Sequence, residues 1–106
     1  MGDALVPMDE ALARVAVDLG GRGLAVVDAK LSPEGAGDFP GDMLEHFLRS
    51  FAQEGRLTLH ADLLRGKNDH HKIEALFKAL ARSLDAACRE DPRRAGTVPS
   101  TKETLK

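Results

Sequence analysis

The sequence predicts a small two-layer α/β sandwich, an α+β unit with elements in the order ββαβα and both helices on one face of the sheet. Three observations predict it. Runs at residues 13–19, 24–31 and 56–64 are short and rich in alternating or β-branched apolar residues, as half-buried strands are. Runs at residues 41–53 and 69–89 repeat apolar residues three and four apart, the helical period. Stretches rich in Gly and Pro separate them.

In "ARVAVDL", Val15, Val17 and Leu19 share one face of a strand. "MDEALARVAVDL" also suits a helix, because Ala and Leu favour one, but Gly20-Gly21 and the β-branched run beyond it favour strand. "LAVVDAKL" is the second strand, and the two read as a β-hairpin. "SPEGAGDFPGD" is a loop. The first helix sets Met43, Leu44, Phe47, Leu48 and Phe51 on one stripe and ends at Gly55. "RLTLHADLL" alternates Leu57, Leu59, Ala61 and Leu63 as a third strand. The second helix carries Ile73, Leu76, Phe77, Leu80, Ala81 and Leu84 on one stripe, with Asn68 or Asp69 as its N-cap. Residues 3–92 thus form one domain, and residues 93–106 a polar tail.

With 106 residues the chain suffices for one core, and without Trp or Tyr that core is aliphatic. A formal charge of −2 gives no reason to expect nucleic acid or an anionic membrane as partner. No apolar run approaches the roughly 20 residues of a membrane span, and the acidic start lacks a signal-peptide pattern. A cytoplasmic location is expected. The lone Cys88, in "SLDAACRE", reads as a buried helix thiol.

Chemistry concentrates in "KNDHHKIEALFK". On a helix, His70 and Glu74 are one turn apart and His71 and Glu74 three residues apart, so imidazole and carboxylate can share one metal ion. Adjacent histidines point about 100° apart, so His70 and His71 suit two different ions. A solvated helix start, with Glu74 merely pairing to Lys78, explains the same pattern. Two more histidines lie nearby: His60, at the end of the third strand, and His46, which on pattern alone is a packed helix residue. The tail "PSTK" offers two hydroxyls and an ammonium that suit a phosphate.

These residues carry a family resemblance. "GKNDHHKIEALFKALARSL" followed by "VPSTK" resembles the C-terminal half of imidazoleglycerol-phosphate dehydratase, as do "VPMDEALARVAVDLGGR" and "HFLRSFAQEGRLTLH". The resemblance implies a half-domain of the ribosomal protein S5 domain 2-like class. It implies His46, His70, His71 and Glu74 as metal ligands, and Arg22, Lys78, Ser100, Thr101 and Lys102 as substrate contacts, with Arg22 on the phosphate. The family's metal is manganese, whereas donor hardness alone leaves Mn, Fe, Ni or Zn open. The implied reaction dehydrates imidazole glycerol phosphate to imidazole acetol phosphate, with Glu74 as the catalytic carboxylate. His60 matches no position in the family's other half and reads as a supporting residue.

Two departures stand out. The family ending "PSTKG" is "PSTKE" here, and the family's first half-domain has no counterpart, so "MG" reads as an added start to a half-length piece. A half alone exposes the apolar surface its partner would cover. A second copy can replace that partner, so a symmetric homo-oligomer, in principle a large shell, is expected, each metal completed by ligands from different copies. Very low activity, or a metal-dependent assembly module without catalysis, is the corresponding expectation for function.

Overall fold

A computed structural model describes residues 1–97, with side chains through Arg89. The elements are strands β1 (Gly2–Met8), β2 (Ala11–Asp18) and β3 (Leu24–Asp28), helix α1 (Met43–Gly55), strand β4 (Thr58–Arg65) and helix α2 (Asp69–Thr97). They form a four-stranded sheet in the order β1-β2-β4-β3. β2 is antiparallel to β1 and β4, while β3 runs parallel to β4. α2 packs on β1 and β2, and α1 on β3.

The alternation that predicts strands also decides which face is covered. Ala11, Ala13, Val15 and Val17 of β2 are buried, as are Leu59 and Ala61 of β4. They meet Leu44, Leu48 and Ala52 of α1 and Ala75, Leu76, Ala79 and Leu80 of α2 in one core. Many of these residues are alanine, which lets helix and sheet approach closely. The start of β1 is held tightest: a Cβ on Gly2 would stand 2.2 Å from the Ser83 carbonyl oxygen. The opposite sheet face is uncovered, leaving Leu5, Leu24, Val26 and Leu64 exposed.

Several expectations are corrected. The two-layer architecture stands, but the order is βββαβα, because "GDALVPM" forms β1. Pro7 and an irregular pattern hide that strand in the sequence, and Gly2, read as part of an added start, pairs with Val17 inside it. The hairpin joins β1 to β2 through Asp9-Glu10, not β2 to β3; β4 lies between those two. Gly55 is the last residue of α1, and Arg56 beyond it takes the left-handed conformation (φ 56°). α2, expected to end near residue 89, runs to Thr97. Cys88 is exposed, as is Ala81, which lies off the buried stripe.

Candidate functional site

The candidate site is built where the β1–β2 turn meets the start of α2. A two-residue turn needs a residue that tolerates positive φ, and Asp9 supplies it at 51°. Glu10 then reaches the short connection between β4 and α2. Its Oε2 accepts hydrogen bonds from the backbone N–H groups of Lys67, at 2.9 Å, and Asn68, at 2.8 Å. Those two donors precede the helix and lack carbonyl partners within it. Asn68 is the N-cap, as expected: its Oδ1 accepts from the His71 N–H at 3.0 Å.

His71 points back onto the same turn. Its Nδ1 lies 2.8 Å from Glu10 Oε1, and its Nε2 3.6 Å from Asp9 Oδ2. These contacts shift both groups. The Asn68 and Lys67 N–H groups, then the His71 ring, lower the Glu10 pKa to about 2. The hydrogen bond to Glu10, with the charges of Glu10, Asp9 and Glu74, raises that of His71.

A second clasp holds a loop beside this one. Asp69 accepts from the Ser32 hydroxyl and, at 2.9 Å, from the Ser32 backbone N–H. Lys72 lies 3.4 Å from Asp69 Oδ1 and donates to the Lys30 carbonyl at 3.4 Å. The Ser32 hydroxyl, chiefly, holds the Asp69 carboxyl below its usual range. The segment so fixed lines a recess of about 320 Å³ together with His46, Asp42, Glu45 and Arg49 of the α1 region.

The expected site residues thus separate into groups. His70, His71 and Glu74 occupy the first turns of α2, with His70 exposed and Glu74 half-buried. Lys78 forms the surface pair with Glu74, at 3.1 Å. His46 is exposed in its own recess rather than packed in the core. His60 is exposed on the uncovered sheet face, between Ala16 and Val26. Arg22 lies in the β2–β3 loop at the other end of the sheet. The register pairs Leu12 with Arg65 at the histidine end and Asp18 with Thr58 at the Arg22 end. Six residues of strand separate those ends by about 20 Å. Ser100, Thr101 and Lys102 lie outside the described residues.

Among the described residues, no group of three or more His, Cys, Asp or Glu is arranged to hold one metal ion. The donor types nevertheless suit a divalent ion, and a carboxylate behind a ring nitrogen is the usual support of a metal-bound histidine. One chain offers a fitting but incomplete set. Asp9 and Glu10 escape the sequence reading altogether. They stand some sixty positions from His71, and no local spacing links them (|i−j| = 61).

The family model for imidazoleglycerol-phosphate dehydratase matches residues 1–84. The Dehalococcoides mccartyi strain 195 protein of that description is 62% identical over 105 residues, 99% of this chain and 54% of its own length. That of Chloroflexus aggregans is 57% identical over 102 residues, 96% of this chain and 50% of its own. The Staphylococcus aureus enzyme structure superposes with a TM-score of 0.78 at 49% identity, over 81% of this chain and 50% of that one. The Pyrococcus furiosus structure, in complex with (S)-C348, gives 0.77 at 37% identity, over 98% and 56%. The chain spans about half the length of the curated relatives it matches.

Proposed function

The chain belongs to the imidazoleglycerol-phosphate dehydratase family, and from that premise we propose that it supplies one half of such an enzyme's active site, completed by further copies of itself. The reaction is the dehydration of imidazole glycerol phosphate to imidazole acetol phosphate, a step of histidine biosynthesis. The observation that carries this reading is the His70-His71-x-x-Glu74 helix start, with His71 anchored from behind by Glu10 at 2.8 Å.

His46, His70, His71 and Glu74 would hold divalent metal, manganese by the family resemblance. A bound ion supplies Lewis acidity toward the substrate's imidazole, easing loss of a carbon-bound proton. Glu74, half-exposed on α2, accepts that proton and can return it to the departing hydroxyl, which leaves as the water of the dehydration. Lys78, at 3.1 Å from Glu74, steadies the carboxylate and adds positive charge for the phosphate. Arg22, Ser100, Thr101 and Lys102 bind the phosphate and so fix the glycerol chain.

The separation of Arg22 from the histidines favours a site shared between copies. So does the outer surface of the helices, where Met43 and Phe47 are exposed. The Phe47 ring centroid lies 5.9 Å from that of Phe51 and 5.4 Å from that of Phe77, forming an apolar patch a second copy could cover. A closed shell of such copies is the extended form of this proposal.

The partial ligand set on each chain also favours a second reading, a metal-binding homo-oligomer without catalysis. Light scattering with size exclusion, with and without chelator, tests the common part. A metal-containing oligomer that dissociates on chelation is expected, and a metal-free monomer would defeat both readings. Turnover of imidazole glycerol phosphate in excess Mn²⁺, abolished by Glu74→Gln, separates them.

A further inference from the structure

We propose that Glu10 is a positioning residue that decides which ring nitrogen of His71 faces a ligand: it takes the proton-bearing Nδ1 and leaves Nε2 with the free lone pair. This rests on His71 being a metal ligand as argued above, and extends the site to a residue outside the His-His-x-x-Glu motif.

The geometry leaves Glu10 little freedom. Its Oε2 is engaged by two backbone N–H groups, from Lys67 and Asn68, so Oε1 is directed at the ring. An ionised carboxylate only accepts hydrogen bonds. A neutral imidazole 2.8 Å from that oxygen must place its single proton on Nδ1. Nε2 is then the basic nitrogen. Asp9 Oδ2, 3.6 Å from Nε2, is beyond hydrogen-bonding distance and adds negative charge on the side where a cation would approach. Such outer carboxylates fix the tautomer and raise the ligand's basicity, and losing one typically weakens metal binding about 10–100-fold.

Glu10→Gln isolates this role from a structural one. The glutamine oxygen can accept from the Lys67 and Asn68 N–H groups, keeping the turn fastened to α2. Its amide N–H₂ then faces His71 and donates to Nδ1, which moves the ring proton to Nε2. A residue that merely fastens the turn predicts little change. A positioning residue predicts a folded variant with the opposite tautomer and weakened metal binding.

The test uses the full chain with ¹⁵N-labelled histidine, without metal, at a pH where the ¹⁵N shifts show a neutral ring. The wild type is expected to carry the Nδ1–H form and Glu10→Gln the Nε2–H form, with similar thermal unfolding. In a parallel titration with Mn²⁺ alone, the variant is expected to bind about 10–100-fold more weakly. An Nε2–H ring in the wild type overturns the assignment whether or not the variant folds. Equal Mn²⁺ affinity of a folded variant also overturns it. A wild type that takes up no Mn²⁺ overturns the metal-site reading instead, and the tautomer measurement still decides the role of Glu10.

Discussion

The two ends of the sheet are held differently. At one end, the β1–β2 turn, the close of β4, the start of α2 and the segment at Ser32 are tied together by Glu10, Asn68 and Asp69, whose bonds to backbone N–H groups run from 2.8 to 3.0 Å. At the other, the β2–β3 loop has Arg22 exposed, and the Thr58 hydroxyl reaches the Arg22 carbonyl only at 3.4 Å. The short polar bonds are thus concentrated at the end that carries His71.

Leu76→Ala removes a fully buried side chain beneath the fastened end and should cost about 2–5 kcal/mol in denaturant unfolding, loosening both ends alike. A loss much below that range would mean α2 is held chiefly by its polar start.

Acid should act on the fastened end next. The lowered Glu10 pKa means its contribution is present above its ordinary value of 4.5 and fades as pH falls toward about 2. The raised His71 pKa has the opposite sense: its contribution is complete below 6.5 and is lost as pH rises through the folded-state value. The pair should therefore stabilise most between pH 4.5 and 6.5. Thermal melts from acid to neutral pH should show the maximum there, and Glu10→Gln should flatten it.

Asn68→Ala, which deletes the cap, should cost about 1 kcal/mol and fray the first turn carrying His70 and His71, visible as faster amide exchange there. The smallest change is expected from Arg22→Ala, within about 0.5 kcal/mol of wild-type stability. A large loss would show that the loosely held end is structural after all.

The sequence made this asymmetry only half legible. Helical spacing placed His70, His71, Glu74 and Lys78 correctly, because four residues along a helix is a local distance. Asn68 was readable as a cap for the same reason. Glu10 was not, since only the pairing of β1 with β2 brings it to α2. Nor was the pairing of β3 with β4 rather than with β2, because alternation reveals a buried face and says nothing of which neighbour it lies beside. Ala81 and Cys88 are exposed although Leu80, Ser83 and Ala87 beside them are buried, so they lie on the side of α2 turned from the sheet, and how wide a stripe the sheet covers is again a tertiary matter.

The place of β4 between β2 and β3 bears on how the chain assembles. Met8 meets Ala11 within a single turn, so the first hairpin can close as soon as it is made. Leu24 has no partner strand until Thr58 arrives, after the loop and the whole of α1 that connect the two parallel strands. Such distant closures slow folding. During synthesis Leu24–Asp28 is made before Thr58–Arg65, so its backbone waits without the strand it pairs with, the interval in which a second nascent chain could claim that edge.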